Sequence, residues 1–122
     1  MSDDLWPADI GESRLTPPVA LLKEQADLLG DKTRQLVTAD VLTRTSGNLF
    51  VHTFCILAPT LDYKFEMFSI VHGINFYPIT FRYSHQDTII TNEDEFKEKL
   101  KATFSSPHTL NTIHSILAQV RA

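Results

Sequence analysis

An α+β fold, with helices laid mainly on one face of an antiparallel sheet, is what three observations in this sequence predict. Apolar residues repeat at helical spacing in residues 17–30 and again after Thr91, but alternate at period two between Arg34 and Ser84. Turn signals at Ser46-Gly47, APTLD (58–62) and Gly73-Ile74-Asn75 cut the alternating region into successive strands. The strands also run together in sequence, flanked by helices rather than alternating with them, which is the α+β order.

Taken in order, residues 1–15 hold Asp3, Asp4, Pro7, Gly11 and Glu12 without periodicity and read as a flexible N-terminal tail. Residues 16–122 then form a single domain. Its first helix is capped by Thr16, starts on Pro17 and Pro18 and stops at Gly30, with Leu22, Ala26 and Leu29 facing inwards. Four strands follow over 34–45, 48–58, 63–72 and 76–84, in an order α-β-β-β-β-α-α. Asp87–Ile90 is either a fifth short strand or an extended connection.

The loops set a register. With Ser46-Gly47 as a two-residue turn, Val41 lies opposite His52 and Val37 opposite Ile56. A four-residue PTLD loop places Ile56 opposite Phe65, Phe54 opposite Met67 and Phe50 opposite Val71. A three-residue Gly73–Asn75 loop sets Met67 against Phe81, Phe65 against Tyr83 and Glu66 against Arg82 as an ion pair. One aromatic face results, which the helices cover. A one-residue slip would mix it with the other face. Pro78 cannot donate to a ladder, so it marks strand four as an edge.

Thr91 caps a helix with Glu93, Asp94 and Glu95 in its first turn and lysines towards its end, as the helix dipole favours. Ser106 and Pro107 start the last helix, whose inner face carries Leu110, Ile113, Leu117 and Val120.

Composition excludes several functions. Eleven Lys and Arg against fifteen Asp and Glu give a net charge of −4, and the cations form no stripe, so nucleic acid is not an expected partner. The single cysteine, Cys55, forbids an internal disulfide and every four-cysteine zinc arrangement. It lies mid-strand, the setting of an inert buried thiol. No run of apolar residues is long enough to span a membrane, and no secretory leader opens the chain, so a cytoplasmic protein is expected.

The five histidines suggest no metal site. His108 and His114 are six apart on one helix, His52 faces the core beside Ser69, and His72 lies on the opposite face. Neither GxSxG nor a glycine-rich phosphate loop occurs, so no catalytic residue, metal or cofactor is assigned. The face opposite the aromatic one is too apolar for plain solvent, so helix one or the N-terminal tail with Trp6, a second copy, or another partner is expected to cover it. Leu42, Val51, Leu57, Phe68, Ile70, His72 and Phe76 form its contact patch, with Cys55 among them. The expected function is a non-enzymatic interaction module of regulatory, inhibitor or immunity type, acting by protein–protein contact and pairing as a homodimer. The alternative is a small-molecule-binding domain or minor enzyme with a site near Tyr63, Tyr83 and His85.

Overall fold

The computed structural model describes residues 3–122. Three helices, α1 (Pro18–Lys32), α2 (Glu93–Phe104) and α3 (Pro107–Val120), pack on one antiparallel sheet. Its strands are β1 (Thr38–Ser46), β2 (Leu49–Ala58), β3 (Tyr63–His72), β4 (Ile79–Tyr83) and β5 (Gln86–Ile90), paired in sequence order. The fifth strand is therefore present, and the order is α-β-β-β-β-β-α-α.

The first helix starts one place later than the capping signal suggested. Pro17 holds the cap position with φ −73° and ψ 152° and offers no side-chain acceptor. The helix also runs through Gly30, where an added Cβ would come within 2.9 Å of the Gln35 side chain. What ends it is Thr33. Its hydroxyl donates to the Val37 carbonyl at 2.6 Å and accepts from the Val37 amide at 3.1 Å. That clamp turns the chain through Arg34 and Gln35, both at positive φ, so β1 begins at Thr38 rather than Arg34.

The β1–β2 turn is Gly47-Asn48, not Ser46-Gly47: Ser46 pairs with Leu49, Val41 with Phe54 and Ala39 with Ile56. Gly47 has φ +61°, and the first central position of a type II′ turn is the one that demands it. The pairing moves by two residues, which preserves the face of every side chain. On the other hairpin Ile56 does lie opposite Phe65. Beyond it a β-bulge shifts the register between Phe54 and Cys55, so Phe54 pairs with Phe68 and Phe50 with His72. Met67 is the extra residue.

One inserted residue reverses the faces of everything after it. Phe68 and Ile70 enter the helix-covered core, and His72 lies on that side with them, not on the outer face. Strand β4 starts only at Ile79, after a six-residue loop over 73–78, and Ile70 pairs with Phe81 and Ser69 with Arg82. The expected Glu66–Arg82 pair is therefore absent; Arg82 Nε lies 3.7 Å from Asp87 Oδ2. Pro78 precedes β4 rather than blocking it, and β5 pairs along that strand, so β4 is internal. Ser84 and His85, both at positive φ, make the two-residue turn between them.

Leu22 and Ala26 of α1, Phe96 and Leu100 of α2 and Ile116 of α3 close over Phe54, Ile56, Phe68, Ile70, Ile79 and Phe81. The rings of Phe54, Phe68 and Phe81 stack in series at 5.2 and 4.7 Å. Fully burying such a side chain stabilises by about 1.5–3 kcal/mol. Asn92, not Thr91, caps α2: its side chain accepts from the Glu95 amide at 2.9 Å, while Thr91 donates to the Glu95 carboxylate. Ser106 caps α3 as its sequence implies.

Candidate functional site

Two places concentrate what is unusual: the sheet face away from the helices, and a histidine pair inside. The outer face follows from the register. Leu42 sits beside Thr53, Thr53 beside Ser69, and Ser69 beside Arg82; Val51 sits beside Val71, Val71 beside Thr80, and Thr80 beside Ile89. Thr53 and Ser69 share a hydroxyl hydrogen bond of 3.0 Å at its centre. Neither α1 nor residues 3–15 cover this face: α1 lies on the core side, and Leu5, Trp6 (71% exposed), Ile10 and Leu15 stand in solvent. Leu42 is 41% exposed and Ile89 61%. Around them lie Asp40, Arg44, Lys64, Glu66, Arg82 and Asp87.

Of the residues that the sequence suggested for a contact patch, Leu42, Val51 and Leu57 lie on this open face. Phe68 and Ile70 do not, because the bulge turns them into the core, and His72 is buried on their side. Phe76 lies in the 73–78 loop, half-buried, with the His72 ring edge-on to it at 6.2 Å. The residues the bulge exchanges onto the open face are Ser69 and Val71. Cys55 is buried between open-face neighbours. Burial pushes its thiol above the ordinary value; Lys64 opposes that, and Glu66 and Asp40 add to it. A protonated thiol is a poor nucleophile.

His52 and His72 are 4% and 6% exposed, and their Nε2 atoms are 3.0 Å apart. Sequence spacing placed them on opposite faces; the bulge puts them on one. His72 Nδ1 lies 2.7 Å from the Gly73 carbonyl, which can only accept, so Nδ1 carries a proton. With both rings neutral, His72 Nε2 must then accept from His52 Nε2–H, and His52 Nδ1 accepts from the Thr43 hydroxyl at 2.9 Å. Every polar atom of the pair is thereby satisfied. Phe50 stacks on His72 at 5.6 Å. Burial, then the His72 ring, then Lys23 of α1 push His52 down from 6.5 to about 4, so it stays a neutral imidazole at neutral pH.

Tyr63, Tyr83 and His85 do not converge. Ser69 pairs with Arg82, so extending that register by one places Tyr83 level with Phe68, five residues along β3 from Tyr63. His85 stands exposed in the β4–β5 turn. The buried Tyr77 hydroxyl has no hydrogen-bond partner among the described residues; burial, and secondarily Glu93, push its proton affinity up. Among the described residues, no group of three or more His, Cys, Asp or Glu side chains is arranged to hold a metal ion, and no helix is long and apolar enough to cross a membrane.

Fold and surface together define a small α+β protein with an open-faced, five-stranded meander. No protein-family model, curated protein or solved structure matches the chain.

Proposed function

We propose that the protein is a non-enzymatic interaction module that pairs with a second copy of itself through the open face of the sheet. The observation that carries this reading is that face: five strands wide, with Leu42, Val51, Val71 and Ile89 flanking the Thr53–Ser69 hydroxyl pair, and with no described helix packed on it. Strands about 4.8 Å apart and five to ten residues long span roughly 600 Å². That approaches the ~800 Å² per partner of a standard interface.

Charge points to the occupant. Asp40, Glu66 and Asp87 balance Arg44, Lys64 and Arg82, three against three, on a chain whose net charge is −4. A surface that is neutral overall, with both signs interspersed, can meet its own copy about a two-fold axis without net repulsion. A strongly basic or acidic partner would find no such complement there.

Sedimentation equilibrium tests the reading. The wild-type chain should sediment as a dimer, and Leu42→Asp with Ile89→Asp should give a monomer with an unchanged circular dichroism spectrum. Both side chains are exposed, so the folded state tolerates them. A monomeric wild type, or a double variant that stays dimeric, overturns it.

A further inference from the structure

On the helix side of the sheet the three helices do not close completely. α2 and α3 pack on one another, while α1 lies along β1. Between α1 and α3 an apolar recess of about 290 Å³ reaches down to the strands. Its floor is Phe54, Ile56 and Met67, and Met67 is there because the β-bulge inserts it. Its walls are Leu28 and Leu29 on one side and Leu110 and Ile113 on the other.

Two features at the mouth distinguish it from a packing gap. Leu28 and Leu110 are 41% and 42% exposed, an apolar rim facing water from both helices. Lys32 also stands at the mouth and is the one charged side chain among the described lining residues. It makes no ion pair among the described residues. An apolar cavity with a few polar groups, here Gln25 and Thr109 beside the charged Lys32, is the usual build of a small-ligand site.

We infer that this recess binds a medium-chain carboxylate, with its alkyl chain between α1 and α3 and its headgroup on the Lys32 ammonium. At about 30 Å³ per methylene-sized group, the volume holds a chain of roughly ten carbons. A methionine floor suits a flexible chain, since its thioether readjusts to irregular apolar shapes. The charge on Lys32 selects the acid over the alcohol of equal length. The recess lies across the sheet from the open face, so this site stands whether or not the protein dimerises.

Isothermal titration with decanoate, with decanol as the uncharged control, is the test. Decanoate should bind once per chain, and decanol roughly fivefold more weakly, as should decanoate to Lys32→Gln. Ile113→Trp, at a half-buried position on the wall, should fill the recess and abolish binding of both. Leu110→Trp does the same from the rim should Ile113→Trp disturb the fold by circular dichroism. Absence of saturable binding overturns the inference, as does binding that survives the tryptophan variants or ignores the charge. Methyl signals of Leu28 and Leu110 that move on Trp6→Ala, and not on adding decanoate, overturn it too, by showing that the N-terminal arm fills the recess.

Discussion

His52 binds its ring into a chain in which Thr43, His72 and Gly73 use every polar atom. In the folded protein its pKa falls from 6.5 to about 4. Below pH 6.5 the unfolded chain takes up a proton that the folded one refuses. Stability is therefore fully present above pH 6.5, falls as pH drops, and is lost through about pH 4, by on the order of 3 kcal/mol. Urea unfolding at pH 7.5 and pH 4.5 should show that loss, and His52→Gln should flatten it. An equal pH slope in the variant would place the acid sensitivity elsewhere. The sequence shows that His52 points inwards, yet it does not show the partner, because His72 reaches that side only through the bulge at Met67.

At the scale of elements, both expected C-terminal helices and all four expected strands exist, since each rests on hydrophobic period and a turn or cap signal. The phase between strands was less legible. In FEMFSIVH (65–72) both residues at the bulge, Met67 and Phe68, are apolar, so alternation changes phase without a break in hydropathy. A signal did exist: Glu66 and Ser69 both face outwards but are three apart, a spacing that period two forbids. The turn at Ser84-His85 carries neither glycine nor asparagine, and this hid the fifth strand. Phe68→Ala should destabilise by about 3–5 kcal/mol, and Glu66→Ala by less than about 0.5 kcal/mol. Denaturant midpoints for the two variants would contradict the bulge if their order were reversed.

For the molecule as a whole, the sheet divides two surfaces with different chemistry: a charge-balanced open face and a helix layer with an apolar recess. Residues 3–15 contribute to neither, since Leu5, Trp6, Ile10 and Leu15 are all exposed. A chain beginning at Thr16 should therefore unfold within about 0.5 kcal/mol of the full one, as judged by thermal melts at matched concentration. A larger loss would mean that the arm packs on the domain.

The strand order, β1 to β5 without a crossover, has a kinetic side. Each strand waits only for its predecessor, so no long loop must close before pairing begins. As the chain emerges from the ribosome, hairpins can add one by one to a growing edge. The exposed apolar side of the half-made sheet then persists until α2 and α3, which follow all five strands in the chain, arrive to cover it. A nascent chain stalled before Asn92 would display Phe54, Phe68 and Phe81 to the cytoplasmic milieu of any expression host, where chaperones bind such surfaces.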